Sequence, residues 1–412
     1  MSTQRIAIVG AGQAAAQAVE TLIKRGHSGR ITLVGDEGLL PYQRPPLSKK
    51  FLAGTLDRDR LLIRHAAHYV DHGVDLRLGF AAVGIDRALR RIDIADGSSV
   101  EYDALLLATG SHPRLLPLTG SELVGVHYLR SVADVDRLRA ELAPGRRVVI
   151  IGGGYIGLEV AATCREAGLD VTVLEAADRV MNRVVSPAVS AFYEAEHAKH
   201  GVHILCGARI DSLVPGGEST PGTRKVAAVR LEDGHELQAD FVLVAIGVLP
   251  TDSLARAAGL ECENGILVNE YCRTSDPHIW AAGDCARHPS IHYGTRVRLE
   301  SVDNAFEQGT SAALNMLGIR TIHDKVPWFW SDQFDLKMVI VGLSAAHDEV
   351  VLRGDPSSRA FSVCYLRDGE LIAVETVNHT KDQMAARKLI PAKARPDLAK
   401  LADPAVALRD TI

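Results

Sequence analysis

The sequence predicts an α/β protein made of two doubly wound parallel-sheet units and a smaller C-terminal α+β domain. Two copies of one pattern predict the first part. Residues 6–12, IAIVGAG, run from an apolar stretch into glycines and then a helical stretch, Gln13 to Arg25. Residues 148–154, VVIIGGG, do the same ahead of a helix from Tyr155 to Ala167. A change of character in the last quarter predicts the rest: from KVPWFWSDQFDLKMVIVG onward, short alternating runs suggest antiparallel strands, followed by a helix near Asp382–Leu389.

Each glycine turn is followed, after its helix, by a second apolar strand, Ile31–Val34 in the first copy and Val171–Leu174 in the second. Strand, glycine turn, helix and strand open a doubly wound nucleotide-binding unit. Further buried strands are expected at ALLLATG (104–110), FVLVAIG (241–247) and IWAAGD (279–284). The turn-rich PGGESTPGT (215–223) reads as a hairpin connection, and RLESVDNAFEQGTSAALNML (298–317) as a helix. The expected domains are 1–112 with 248–320, interrupted by 113–247, and then 321–412.

Composition excludes several classes. The 412 residues carry 46 Lys and Arg against 51 Asp and Glu, a net charge of −5. That argues against a nucleic-acid binder driven by overall basic charge. No apolar run approaches the ~20 residues a membrane helix requires. The six cysteines form no CxxC pair, and neither they nor the histidines show metal-site spacing. A cytoplasmic protein with reduced thiols and no metal is expected. The 36 glycines exceed the usual share without any repeat period.

The first fingerprint is GAGQAA, with Gly10, Gly12 and Ala15. Its first glycine permits the tight turn and its second lets the backbone approach a pyrophosphate. The third small residue packs the helix on the strand, and the helix N-terminus faces the phosphate charge. Asp36 lies 21 residues beyond Ala15, where an acid accepts hydrogen bonds from ribose hydroxyls. The second fingerprint, GGGYIG, places Gly152, Gly154 and Gly157 at the same spacing, with Glu175 at the end of the next strand. A carboxylate there bonds a free 2′-hydroxyl and repels a 2′-phosphate, favouring NADH over NADPH. The alternative for Glu175 is a surface charge at a strand end.

Together these segments resemble the flavoprotein reductases with two dinucleotide-binding (Rossmann-like) domains. ALLLATGSHPR, FVLVAIGVLPT and TSDPHIWAAGDCA match that family's remaining nucleotide motifs in order. PYQRPPLSK (41–49), GGGYIGLEVAA (152–162), RLESVDNA (298–305) and PWFWSDQ (327–333) are similar to the branch of NADH–ferredoxin and rubredoxin reductases. The resemblance implies FAD as cofactor and NADH as co-substrate. It implies that Asp284 bonds a ribityl hydroxyl and that Lys49 and Pro45 lie beside the isoalloxazine. It also implies FAD contacts for Ala14, Val83, Arg130 and Val302, with Gly110, Gly247 and Gly283 allowing close backbone. Tyr155 and Ile156 open the NADH helix, and Glu159 on the same helix is expected near the nicotinamide. Trp330 is expected near the flavin; Trp328 and Trp330 read equally as core aromatics, and Tyr155 equally as a packing residue. Lys49, Glu159 and Trp330 are the candidates closest to the chemistry. A cation at Lys49 stabilises a reduced, anionic cofactor, and Ser301 as an N-cap adds a helix dipole to the same effect.

Disulfide reductases of this fold carry a cysteine pair beside the flavin, and NADH peroxidases a single one. The segment PYQRPPLSK has neither. An external one-electron carrier is therefore expected, most simply a 2Fe-2S ferredoxin serving a cytochrome P-450 monooxygenase or a ring-hydroxylating dioxygenase. Residues 381–400 hold six Lys or Arg against two Asp, a basic stretch suited to an acidic ferredoxin. Lys337, Arg387 and Lys388 are the docking candidates on a monomer or weak dimer. The alternatives are a rubredoxin reductase, an NADH oxidase, or an NADH-binding redox sensor.

Overall fold

The computed structural model describes residues 3–220 and 223–412. The chain divides into two compact units. The first comprises residues 1–43, 58–112 and 249–329, and the second residues 44–57, 113–248 and 330–412.

In the first unit, five parallel strands form one sheet in the order Ile279–Ala281, Ala104–Leu107, Ile6–Val9, Ile31–Gly35 and Asp75–Leu78. The apolar runs are continuous because both faces are covered. Ile6, Ile8, Leu33 and Leu106 enter one core while Ala7, Val9, Val34 and Leu107 enter the other. The strand order reverses at Ile6–Val9. Its two neighbours come from opposite directions in the chain, so the crevice at its C-terminal end is the switch point of the sheet. The first glycine turn lies there, ahead of the helix Gln13–Lys24.

The second unit repeats the arrangement: Val202–Cys206, Asp170–Glu175, Arg147–Ile151, Phe241–Val244 and Val126–His127, all parallel. The second glycine turn follows Arg147–Ile151 and leads into the helix Tyr155–Glu166. This unit also holds the antiparallel strands Leu336–Gly342, Glu370–Val377, Phe361–Arg367 and Glu349–Arg353, and the strand Trp328–Gln333, which enters the unit at Trp330, forms the edge of their sheet. The C-terminal helix Thr380–Leu389 is tied to it by Arg353. That buried guanidinium bonds Asp382 at 2.8 Å and donates to the carbonyls of Leu401, Asp403 and Val406.

The strands Ile210–Thr220 and Thr223–Leu231 are antiparallel, as a hairpin requires, but their pairing runs through most of the stretch 215–223 expected to connect them, with shifts of register along it. The connection itself, at residues 221–222, lies outside the described residues. The helix expected from residue 298 starts at Val302, because Ser301 caps it: its hydroxyl accepts from the Asn304 amide at 3.1 Å. No helix among the described residues is long and apolar enough to cross a membrane.

Candidate functional site

The two glycine turns have a common geometry. Gly10 and Gly152 have φ of +108° and +113°, and a side chain on either would strike a carbonyl oxygen, that of Ala108 or Ala245. Those carbonyls belong to the neighbouring strands, whose own amides bond Val9 and Ile151 at 2.7 Å. On the other side the amides of Gly10 and Gly152 bond the carbonyls of Val34 and Leu174 at 2.8 Å. In the second turn a Cβ on Gly157 would strike the Gly152 carbonyl, so helix and strand touch through backbone alone.

Gly12 and Gly154 are different. Both have extended backbones that any residue can adopt, and a Cβ on either would meet nothing within 4 Å. Neither backbone strain nor protein packing requires glycine there. The space left open is that of a group approaching the backbone from outside. The helices that follow agree. Among the described helices of eight residues or more, only Gln13–Lys24 and Tyr155–Glu166 lack a side-chain cap. The other four are capped by Ser131, Ser186, Ser301 and His379. Two uncapped helix starts with no acid in the first turn leave backbone N–H groups and positive dipole ends for a phosphate. The cradles fit two dinucleotides.

The acids differ in their bonding. Glu175 accepts from the Gly153 amide at 2.7 Å and the Ala177 amide at 2.8 Å, so it braces the turn itself. Asp36 is exposed and accepts from the adjacent Glu37 amide at 3.1 Å. Asp284 takes a 2.7 Å bond from the Ser111 hydroxyl. Its loop is set by Gln308, whose Oε1 accepts from the Gly283 amide at 2.8 Å and whose Nε2 lies 2.8 Å from His288 Nδ1. Burial lowers His288 to about 4, so the ring is a neutral acceptor.

The first unit holds Gly10, Gly12, Ala14, Ala15, Asp36, Val83, Asp284 and Val302. Ala14 and Ala15 are buried in the first helix, Val302 opens the helix Val302–Met316, and Val83 is 60% exposed on Ala82–Asp86. The second unit holds Lys49, Arg130, Gly152, Gly154, Tyr155, Ile156, Gly157, Glu159, Glu175, Gly247 and Trp330. Ile156 is exposed, and burial pushes the Tyr155 phenol up. The Arg130 carbonyl takes a 2.7 Å bond from Arg44. Gly247 has φ of +98°, and its carbonyl accepts from the Arg114 amide at 3.0 Å.

Lys49 and Glu159, 110 positions apart in sequence, form a 2.6 Å ion pair with side chains 18% and 5% exposed. Ser48 Oγ donates to the same Glu159 oxygen at 2.5 Å, and Ser331 Oγ to the other at 2.7 Å. Thr163 Oγ1 reaches the Ser48 and Glu159 carbonyls at 2.9 and 3.1 Å, pinning loop to helix. A buried ion pair is stable only when hydrogen bonds fill its remaining sites, and this one is filled. Ser48 and Ser331 escaped the sequence reading although each neighbours a candidate, Lys49 and Trp330. Gln308 and His288 gave no signal, since nothing in their spacing joins them.

All six cysteines are unpaired, and burial raises the thiols of Cys164, Cys272 and Cys364 to about 12. Among the described residues no His, Cys, Asp and Glu cluster suits a metal.

Residues 4–309 match the model of the pyridine nucleotide-disulphide oxidoreductases, and residues 328–412 that of the reductase C-terminal domain. The chain belongs to the pyridine nucleotide-disulphide oxidoreductase family. Among curated members, rhodocoxin reductase of Rhodococcus erythropolis is 44% identical over 93% of this chain and 89% of its own. The ferredoxin–NAD(+) reductase component of the anthranilate 1,2-dioxygenase system of Burkholderia cepacia is 41% identical over 99% of both. The crystal structure of a covalent putidaredoxin reductase–putidaredoxin complex superimposes with a TM-score of 0.95 at 39% identity, covering 100% of this chain and 98% of that one. Members of this family use FAD and NAD(P)H, which agrees with the two open glycine turns.

Proposed function

We propose that this oxidoreductase takes hydride from NADH onto FAD and passes the electrons singly to a 2Fe-2S ferredoxin. That ferredoxin serves a cytochrome P-450 monooxygenase or a ring-hydroxylating dioxygenase. The observation that carries this reading is the pair of open, uncapped glycine turns, combined with cysteines that are unpaired and held as thiols. The relatives named above couple such a reductase to a small redox protein.

FAD, when bound, accepts electrons as a pair and releases them one at a time. The protein's residues do the rest. Gly10, Gly12, Ala14 and Ala15 form the FAD phosphate turn, Asp36 takes the ribose hydroxyls, and Asp284, steered by Gln308, takes the ribityl chain. Val83, Arg130 and Val302 complete this set. Gly152, Gly154, Tyr155, Ile156 and Gly157 receive NADH, and Glu175 disfavours a 2′-phosphate. Gly247 gives close backbone approach. Lys49, held by Glu159, supplies the cation beside the redox ring, with Trp330 packed nearby. No protein base is required for hydride transfer.

We assign the FAD domain to 1–112 with 248–320, the NADH domain to 113–247, and the C-terminal domain to 321–412. Lys337 and Lys388 are exposed and Arg387 is half-buried. They form the docking surface for an acidic ferredoxin, on a cytoplasmic monomer or weak dimer. Steady-state assays test the acceptor. A ferredoxin accelerates NADH-dependent cytochrome c reduction, whereas rapid oxygen consumption with NADH alone points to an oxidase.

A further inference from the structure

Behind Glu159 a buried polar chain continues through residues to which hydride transfer gives no part. Ser331, Gln333 and His197 are at most 1% exposed. Gln333 Nε2 donates to Ser331 Oγ at 3.2 Å, and Gln333 Oε1 lies 2.8 Å from His197 Nε2. The direction of each bond follows from what the groups can do. The amide oxygen only accepts, so His197 Nε2 carries the proton. The amide nitrogen only donates, so Ser331 Oγ uses its own proton on Glu159. Every bond runs the same way, from His197 toward the carboxylate.

The ring chemistry agrees. Burial lowers His197 to about 4, and its Nδ1 has no hydrogen-bond partner, as suits the lone-pair nitrogen of a neutral Nε2–H tautomer. Its surroundings are the Phe334 ring, 5.0 Å away, with the Glu196 carboxylate and the His200 ring nearby. The chain orients and does not conduct. A proton cannot hop through Gln333 unless the amide gives up its resonance.

We propose that Ser331, Gln333 and His197 are positioning residues of the reductase: a one-way donor chain that fixes the Glu159 carboxylate and, through it, the Lys49 ammonium. This rests on the placement of Lys49 and Glu159 beside the redox cofactor. A lysine side chain otherwise samples many rotamers. Holding its partner with two serine donors, at 2.5 and 2.7 Å, sets the cation in place before substrate arrives.

Two measurements test the chain. The first is ring 15N NMR of the FAD-loaded protein, with the His197 signals assigned by their loss in His197→Gln. A neutral Nε2–H tautomer between about pH 6 and pH 8 is expected. A charged ring or an Nδ1–H tautomer overturns the proposal, and this readout needs only the near-isosteric His197→Gln to fold. The second is anaerobic stopped-flow reduction by NADH. In Gln333→Glu the new carboxylate competes for the Ser331 proton, and reduction slows by about 10- to 100-fold with FAD still bound. His197→Leu slows reduction similarly, whereas His197→Gln, which keeps a donor at the same reach, stays close to the parent. Parent-like rates in Gln333→Glu, or equal rates in the two His197 variants, overturn the chain while leaving the cofactor site standing. A parent protein whose FAD does not bleach with NADH overturns the placement of Lys49 and Glu159 itself.

Discussion

At the first turn a side chain on Gly10 would strike the Ala108 carbonyl; at the second, one on Gly152 would strike that of Ala245. Gly12 and Gly154 both face open space. Up to that point the turns are copies. They part at the third small residue, Ala15 in one and Gly157 in the other, and at the acid. Glu175 is bonded to its glycine turn by the Gly153 amide and to its own loop by that of Ala177, whereas Asp36 stands exposed and accepts from the adjacent Glu37 amide. The first turn offers a carboxylate clear of the loop, suited to a resident cofactor. The second is braced by its own acid, suited to a co-substrate that leaves at every turnover. The same backbone solution thus carries an exposed acid in one unit and a braced one in the other, as the proposed FAD and NADH sites require.

The largest expected effect separates the third positions. Gly157→Ala drives a methyl into the Gly152 carbonyl and should cost several kcal/mol, on the order of 3 or more, in denaturant unfolding. Ala15→Gly should cost about 1 kcal/mol, the usual helix penalty. Equal costs would mean the two helices pack alike.

The open positions sharpen the comparison next. Gly12→Ala leaves the fold intact yet yields protein that no longer retains FAD, read from visible absorbance. Gly154→Ala stays yellow but raises the KM for NADH by at least about tenfold, roughly 1.4 kcal/mol of binding. FAD loss in the second variant with retention in the first would exchange the two assignments.

The second unit also carries a pH signature. Glu375 accepts from the Tyr365 hydroxyl at 2.7 Å and the Ser186 amide at 3.1 Å, and burial pushes it up to about 7. The folded state therefore binds its proton more tightly than the unfolded chain. The stability it contributes is complete below about pH 4.5 and is lost as pH rises through 7. Glu375→Gln should raise stability at pH 8 by up to about 3 kcal/mol and change little at pH 4, measured by chemical denaturation at both.

The smallest effect is at the docking surface. Reversing Arg387 and Lys388 to Glu raises the ferredoxin KM several-fold, on the order of 1 kcal/mol, and the difference shrinks with salt. Dye reduction by NADH is unchanged. An unaltered ferredoxin KM would remove these residues from the surface.

The turns were legible in sequence because their determinants are local: glycine spacing, an apolar run before and a helix after. Strands buried on both faces read as the unbroken runs IAIV and VVII for the same reason. Lys49 and Glu159 were each legible through resemblance; their pairing was not, since they are 110 positions apart and meet through tertiary packing. Gln308 with His288, and Gln333 with His197, stayed hidden. A buried glutamine and a buried histidine carry no periodicity, and their partnership exists only once the strands and helices have docked.

The central claim is that one chain holds FAD at the first turn, receives NADH at the second, and has no internal thiol acceptor. Anaerobic titration of the purified protein tests it directly. The protein should be yellow, bleach with about one equivalent of NADH, and recover its colour with about two equivalents of oxidised 2Fe-2S ferredoxin. Colourless protein that cannot be reconstituted with FAD, or reduced protein that ferredoxin fails to reoxidise, would contradict the account.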